Sequence, residues 1–307
     1  MSDASGILTA IPQHYVTDYD DAWRIALQQE EHILAGTYQE KQIDGKEGRF
    51  DYMGPAAAMR ARTSRNGFIQ PRDMTMFSRW VRPVPYDNEN IIDQFDAIAL
   101  GKLGDPTSAI VKNQALSANR TKDALVAAGL LGTAYIGESG TTPVTLPNTQ
   151  IVAVNYVRKG SAVNSGMTLA KILKAKQILD ANQVPMSDRY LALGSTQMAD
   201  LLNDVDQISN DRYVDVKALI EGKPGKFAGF EFKLNCDGFL PLSASSIRGC
   251  IAWHKAGVGM GHGMNVSASI DILPERRHSI LCMTTLLESA TRLEEGRVVE
   301  ILCDETL

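Results

Sequence analysis

Glycine-rich stretches are the first places in this chain where residue type and spacing could support chemistry. The run GVGMGHGMNV has a glycine at every second position from Gly257 to Gly263. A dinucleotide-binding loop needs GxGxxG between a strand and a helix, but His262 occupies the place of the third glycine. We therefore expect this run to form a flexible turn between strands and not a nucleotide site.

Two other motifs lack required residues. EGKPGK has neither the first glycine nor the final Ser or Thr of a phosphate-binding P-loop, and GESGT has Thr141 where the nucleophile elbow GxSxG requires glycine. The carboxylate pairs Glu294-Glu295 and Asp20-Asp21 lie in hydrophilic turns, where solvation is the better explanation. The sequence predicts no catalytic residue and no enzyme activity.

Histidines and cysteines give no metal-binding pattern. His254 and His278 could approach Cys250 or Cys282 across strands, but no HxH, HExxH or CxxC spacing is present, and polar or core roles explain these residues better. We expect no metal or cofactor. The cysteines stand in apolar surroundings, which predicts buried free thiols in a reducing compartment for Cys236, Cys250, Cys282 and Cys303.

Composition narrows the function classes further. The 307 residues are 44% hydrophobic and carry a formal charge of -5, which suits a soluble protein with a sizeable core and gives no global field that attracts nucleic acid. The N-terminal residues lack a secretory leader pattern, and no apolar run is long enough to span a bilayer. We expect a soluble protein that is synthesised in the cytoplasm.

The element with the clearest ends is a helix between Asp105 and Gly132. Asp105 suits the N-cap and Pro106 the first turn, and Gly132 is expected to close the last turn in the left-handed conformation. Its middle, Asn119 to Asp123, is polar. An earlier helix is predicted from Thr17 to Gly36, with Trp23 and Leu27 on its apolar stripe.

The segment from Thr37 to about Asn90 looks like a long two-stranded excursion that must pack on something else, since a lone hairpin is marginal in water. It is rich in arginine and is followed by acidic residues. Interleaved aromatic residues would also fit nucleic acid, but the adjacent opposite charges favour a contact between protein surfaces. The candidate inter-subunit residues are Arg60, Arg62, Arg65, Arg72, Arg79, Trp80, Asp87, Asp93, Asp96, Trp23 and Leu27.

The remaining chain reads as helices followed by strands, which predicts an α+β fold. A further helix is predicted to start near Thr168, and a short one at Thr196 to Asn203. A strand is expected at Ile151 to Val157 and another in FAGFEFKLN. The late strands are placed at Ile247 to Trp253, Met264 to Leu273, His278 to Leu286 and Val298 to Leu302.

The chain resembles the major capsid proteins of tailed bacteriophages, which have the Hong Kong 97-type fold. The similarity is most specific from Gly54 to Val144, where ARTSR leads through FSRWVRPVPYDNENIIDQFD to DPTSAIVKNQALSANRTKDALVAAGLLG. It continues through MTLAKILKAKQILDANQVPMSDRYLALG, IAWHKAGVGMG and ESATRLEEGRVVEILCDET.

The resemblance implies an N-terminal arm at 1–36, an extended loop at 37–87 and an axial domain at 163–246. It implies a peripheral domain at 88–162 and 247–307 with a spine helix at 106–131. With that role, an arm or loop of a neighbouring molecule is expected to lie along the helix, at its polar middle from Asn119 to Asp123. Copies of the chain would assemble as pentamers and hexamers into an icosahedral shell around double-stranded DNA, without sequence-specific binding and without a membrane. Implied partners are a separate scaffolding protein, a portal and a decoration protein, and non-covalent or cemented contacts are expected in place of covalent crosslinks.

Two alternatives remain open at this stage. The first is an encapsulin-like nanocompartment shell of the same fold, which loads enzyme cargo instead of DNA. The second, from another class, is a cytoplasmic α/β enzyme with an unrecognised site.

Overall fold

The computed structural model describes residues 28–61, 64, 65, 67–69, 71–93, 107–158, 163–206 and 226–306, with the side chains at 107–109 and 204–206 left out. Several predictions fall outside this part of the chain. They concern the helix start at Thr17, the residues Trp23, Leu27, Arg62 and Asp96, and the cap at Asp105 and Pro106.

The described residues form two compact units. The smaller contains Gln28 and the described parts of Asp87–Ala115 and Ala268–Thr284. The larger contains the described parts of Gln29–Tyr86, Leu116–Ser267 and Thr285–Leu307. These two units do not correspond to the four predicted parts of the chain. The division into arm, loop, peripheral domain and axial domain therefore stays a prediction.

Three helices are described: α1 at Thr107–Leu131, α2 at Leu169–Ala181 and α3 at Ser195–Asp206. The predicted cap of α2 is confirmed, because the Thr168 side chain accepts a hydrogen bond from the Lys171 backbone N–H. Gly132 does follow the last residue of α1, but it is not left-handed. Its small size is needed for another reason, since a Cβ there would lie 2.5 Å from the Ala128 carbonyl oxygen.

The strands form three sheets, ordered β1-β12-β13-β4, β7-β14-β11-β8-β10-β9 and β2-β3-β5-β6. Both parallel and antiparallel pairs occur, and together with the helices they confirm the predicted α+β class. The strand bounds are β1 Gln39–Gln42, β2 Gly48–Met53, β3 Met76–Val81, β4 Val84–Ile92, β5 Ala134–Ile136, β6 Thr142–Val144, β7 Ile151–Val152, β8 Arg189–Ala192, β9 Lys226–Phe227, β10 Phe230–Lys233, β11 Ile247–His254, β12 Val258–Leu273, β13 Ser279–Arg292 and β14 Val298–Asp304.

The main core of the larger unit is built on the six-stranded sheet. Strand β11 lies between β14 and β8, and its last seven residues, from Arg248 to His254, are all buried, with Trp253 at 0% exposure. The indole N–H of Trp253 donates to the Thr37 carbonyl oxygen at 3.0 Å. This bond fixes the start of β1 to the core, because a buried indole N–H left without a partner is costly.

In the smaller unit, the fully buried Gln114 side chain joins α1 to β13. Its amide nitrogen donates to the Cys282 carbonyl oxygen at 2.9 Å, and its amide oxygen accepts from the Thr284 hydroxyl at 2.9 Å. Both ends of the amide are therefore satisfied inside the unit.

The glycine run was predicted as a turn, and this prediction is wrong. Gly259, Gly261 and Gly263 lie inside β12, and only Lys255–Gly257 forms a short turn. A Cβ at Gly259 would lie 2.8 Å from the Phe50 ring, and one at Gly261 would collide with Ile43. The alternation of glycines therefore reflects close packing of neighbouring strands.

The predicted first helix is also wrong in its described part. Residues 28–38 contain no helix, and Ile33 to Gly36 form a turn in which Gly36 has a φ of 74°. Tertiary contacts with α1 override the helical pattern here, as the next section describes. Elsewhere the late strands run longer than predicted, β7 is shorter, and FAGFEFKLN contributes the hairpin β9-β10 with Ala228 and Gly229 at positive φ.

Candidate functional site

Strands β2 and β3, which we call the ribbon, belong to the sheet β2-β3-β5-β6 and lead into an exposed segment of the described chain. Strand β2 pairs with β3 in antiparallel register from Gly48 opposite Val81 to Met53 opposite Met76. The segment 54–75 leaves the ribbon and, among its described residues, has no helix or strand. Its base is closed by a hydrogen bond from the Gly54 N–H to the Thr75 carbonyl oxygen at 2.8 Å.

Large apolar side chains on this segment face solvent. Met59, Phe68 and Ile69 are 102%, 101% and 93% exposed, respectively, and their neighbours Arg60, Arg65 and Arg72 are also exposed. Arg72 donates to the Ala58 carbonyl oxygen at 3.1 Å within the same segment. Exposed apolar residues clustered with arginines are typical of a protein interaction surface.

Two candidate interface residues, Arg79 and Trp80, make contacts within the chain at the root of the ribbon. Arg79 is 5% exposed, its Nε donates to the Leu293 carbonyl oxygen at 2.8 Å, and its Nη2 contacts both carboxylate oxygens of Glu295 at 2.5 and 2.7 Å. The Trp80 indole N–H donates to the Gly137 carbonyl oxygen at 2.7 Å. Glu295 is thus the partner of a buried arginine. The expectation that it is simply a solvated turn residue is wrong.

The other candidates are placed less decisively. Asp87 is exposed and Asp93 partly exposed in the smaller unit, and Trp23, Leu27, Arg62 and Asp96 lie outside the described residues. The structure therefore places Arg60, Arg65 and Arg72 on the exposed segment 54–75. Arg79 and Trp80 lie in β3, at the root of the ribbon.

A cleft of about 750 Å³ lies at this root. The apolar side chains of Tyr52, Met53 and Phe77 form part of its wall, with Glu138 beside them. Tyr52 and Phe77 stack with ring centroids 5.5 Å apart, and the Tyr52 hydroxyl donates to the Leu293 carbonyl oxygen at 3.0 Å. These contacts hold the ribbon on the loop after β13.

The carboxyl end of α1 is closed by a buried arginine that sequence reasoning missed. Arg292 is fully buried, and its guanidinium donates to the carbonyl oxygens of Leu130, Gly132 and Val144 at 2.8 to 3.0 Å. A cation at this end of a helix satisfies free carbonyl groups and complements the helix dipole. Arg292 is 162 residues from Leu130 in the sequence, so no local sequence pattern predicts their contact.

The polar middle of α1 holds the chain's own segment 29–34. The fully buried Asp123 accepts hydrogen bonds from the Ile33 and Leu34 backbone N–H groups at 3.1 and 2.9 Å, and from His32 Nδ1 at 2.7 Å. Asn119 donates to the Glu30 carbonyl oxygen at 3.0 Å. The prediction that this patch faces a neighbouring molecule is therefore wrong.

A second buried carboxylate connects α1 to strands β12 and β13. Oε1 of the fully buried Glu288 accepts from Lys122 Nζ at 2.9 Å and from His262 Nδ1 at 3.0 Å. Burial alone would raise the pKa of Glu288, but the hydrogen bonds from His262 and Lys122 outweigh it and lower that pKa. The carboxylate is thus held in its charged form as a structural tie.

These features do not assemble a catalytic centre. Within the ranges given above, no group of three or more His, Cys, Asp or Glu side chains could hold a metal ion. All four cysteines are buried free thiols, as predicted, and burial raises the pKa of Cys236 to about 12. Among the described helices, none is long and apolar enough to cross a membrane.

Comparison with solved structures identifies the fold. The capsid of cyanophage P-SCSP1u superposes with a TM-score of 0.70 at 14% identity, covering 96% of this chain and 95% of that one. The capsid of Ralstonia phage GP4 gives 0.64 at 9% identity, with 95% and 96% covered. The capsid of cyanophage Pam1 gives 0.63 at 10% identity, with 99% of both chains covered. These likenesses confirm the Hong Kong 97-type fold predicted from the sequence.

Sequence comparison gives the family. No curated protein matches the chain. A family model described as phage capsid protein, however, matches residues 11–305 and so spans both units, the ribbon and α1. Because that match extends over nearly the whole chain, and because the fold and the exposed ribbon segment agree with it, the chain belongs to the phage capsid protein family.

Proposed function

We propose that this protein is the major capsid protein of a tailed bacteriophage, and that it assembles as pentamers and hexamers into the icosahedral head around double-stranded DNA. The match of the phage capsid family to residues 11–305 is the observation that carries the proposal. Its work is structural and needs no catalytic residue. The protein would be made in the bacterial host cytoplasm and reside in the virion.

The described residues of segment 57–72 are exposed, which supports self-association. Met59, Phe68 and Ile69 have nearly their whole side chains in water, and full burial of such a side chain contributes about 1.5–3 kcal/mol. A subunit that keeps three of them exposed gains this stabilisation on contact with another subunit. We therefore assign this segment to the contact between subunits, within an extended loop at 37–87.

Charge reversal on the same segment tests the assignment. Changing Arg60, Arg62 and Arg65 to Glu is expected to block assembly and leave the subunit folded, because exposed loop charges affect association more than folding. The matched control reverses three exposed lysines elsewhere, Lys46, Lys226 and Lys255.

Sedimentation and electron microscopy would follow assembly, and circular dichroism would follow folding. The control is expected to form shells. Normal shells from the arginine variant would contradict the contact, and an unfolded arginine variant would make these residues intramolecular.

The remaining parts of the proposal concern partners and domains. We place the arm at 1–36, the peripheral domain at 88–162 and 247–307, and the axial domain at 163–246. A separate scaffolding protein, a portal and a decoration protein complete the particle, whose subunits are held by non-covalent or cemented contacts. A ladder of covalent multimers on a boiled denaturing gel would contradict non-covalent assembly.

The contents of purified particles test the proposal against the nanocompartment alternative. Filled particles are expected to release double-stranded DNA after disruption. Particles that contain an enzyme and no nucleic acid would instead identify a nanocompartment shell.

A further inference from the structure

A cleft on the surface of α2 differs in charge from the cleft at the root of the ribbon, whose lining includes Glu138, Glu294 and Glu295. It has a volume of about 390 Å³ and lies between one face of α2 and the loop that follows β7. The helix contributes Ala170, Leu173, Lys174 and Gln177, which recur at the three- and four-residue spacing of a single helical face, and the loop contributes Tyr156 and Arg158. We call it the α2 cleft.

The α2 cleft contains two cations and no carboxylate among its lining residues. Lys174 Nζ lies 5.8 Å from the centre of the Tyr156 ring and donates to the Gln177 amide oxygen at 3.3 Å. Among the residues that the structure describes, no carboxylate forms an ion pair with Lys174 or with the exposed Arg158.

Other cations of this unit are used differently. Arg79, Arg189 and Arg248 are buried and paired with Glu295, Asp180 and Glu305, and Lys122 is paired with Glu288. Those four hold the fold together. Lys174 and Arg158 have no carboxylate partner in the described part of the chain, so their positive charge is available to a ligand.

The donors of the α2 cleft fit a compact anion with several oxygens. The Arg158 guanidinium can donate two parallel hydrogen bonds, Lys174 supplies a point charge, and the Tyr156 hydroxyl and the Gln177 amide add neutral donors. A phosphate group accepts from several donors at once, and arginine matches its geometry.

We propose that the α2 cleft binds the phosphodiester backbone of double-stranded DNA. This inference rests on the proposed function, in which the assembled shell encloses DNA. It adds to that function the residues that contact the DNA. The overall charge of -5 opposes tight binding. One small site per subunit therefore gives weak contact that does not depend on sequence, repeated over every copy in the shell.

Binding of a 20-base-pair duplex to unassembled full-length subunits tests the proposal by fluorescence anisotropy at several salt concentrations. Each phosphate contact adds about 0.9 to the slope of log affinity against log salt. The double variant Arg158→Gln, Lys174→Gln is expected to lower that slope by roughly 1.8. Arg158→Gln alone changes only an exposed loop residue, so it keeps the test valid if the double variant folds poorly, and it is expected to lower the slope by about 0.9.

The control Lys46→Gln, Lys255→Gln removes the same two charges from exposed positions outside the cleft and is expected to keep the wild-type slope. The proposal is overturned if the wild type does not bind the duplex at low salt, or if the control loses as much slope as the cleft variant. It is also overturned if polyglutamate competes as well as the duplex, because the ligand would then be an acidic protein segment.

A second arm separates this proposal from the proposed function. Formaldehyde crosslinking of filled wild-type particles is expected to attach DNA to the peptide that contains Lys174. Particles that contain DNA but give no such crosslink would overturn the cleft assignment and leave the capsid function intact, whereas failure to form any shell would contradict the capsid function itself.

Discussion

Replacement of Asp123 by Ala tests how the described start of the chain is attached to α1. The carboxylate is fully buried and accepts hydrogen bonds from Gln29 Nε2, His32 Nδ1 and the backbone N–H groups of Ile33 and Leu34, at 2.5 to 3.1 Å. Alanine leaves the two backbone donors without a partner, and each such donor costs about 1–3 kcal/mol. The contacts to His32 and Gln29 are lost as well. We therefore expect the free energy of unfolding to fall by about 3–5 kcal/mol.

Guanidinium unfolding of unassembled subunits measures this loss, and hydrogen exchange at Ile33 and Leu34 shows whether the segment detaches locally. Asn119→Ala removes a single hydrogen bond and is expected to cost about 1 kcal/mol. The exposed Asp44→Ala is the control and should stay within about 0.5 kcal/mol of wild type. If Asp123→Ala also stays within about 0.5 kcal/mol and exchange at Ile33 and Leu34 is unchanged, the reasoning is refuted.

Three further predictions follow from buried contacts. Arg292→Met should lower the free energy of unfolding by about 3–5 kcal/mol in denaturant titration, because three carbonyl groups lose their charged donor. A change under about 1 kcal/mol, roughly the value of a single neutral hydrogen bond, would contradict the capping role. Gly261→Ala should lower the free energy of unfolding by about 1–3 kcal/mol in the same assay. Gly45→Ala is the control, because a Cβ added there has no atom within 4 Å and causes no clash. Equal effects of the two variants would contradict the close-packing account of β12. The pKa of Glu288 is lowered in the folded state, so its contribution to stability is present above its ordinary value of 4.5 and is lost as the pH falls through the lowered value. Glu288→Gln should flatten this acid dependence in thermal melts between pH 3 and 6, and an unchanged dependence would show that other carboxylates cause it.

Local signals in the sequence were sufficient where structure depends on nearby residues. The end of α1 next to Gly132, the Thr168 cap and the presence of the late strands follow from caps and alternation over short windows, and the structure confirms them. Burial of the cysteines follows from their apolar neighbours.

Contacts between distant residues could not be predicted. The segment from Gln29 to Gly36 has a helical pattern, but Asp123, about ninety positions later, supplies the acceptors that hold it in a turn. The glycines of β12 look like a turn because the rings and branched side chains that crowd them come from other strands. In the sequence Arg79 looks like its exposed arginine neighbours, and only the structure shows that it is buried and bound to Leu293 and Glu295.

The candidate interface shows the same division. Composition alone indicated that the arginine-rich segment is a protein contact, and the structure adds the exposed Met59, Phe68 and Ile69 beside those arginines. The α2 cleft was not foreseen, because Tyr156 and Arg158 belong to a loop and Lys174 to a helix, and no motif links them.

Electron microscopy of the purified protein tests the central claim most directly. We predict closed icosahedral particles built from pentamers and hexamers of this chain, with density for DNA inside particles taken from infected cells. A small discrete oligomer under every solution condition, with no closed shell, would contradict the claim.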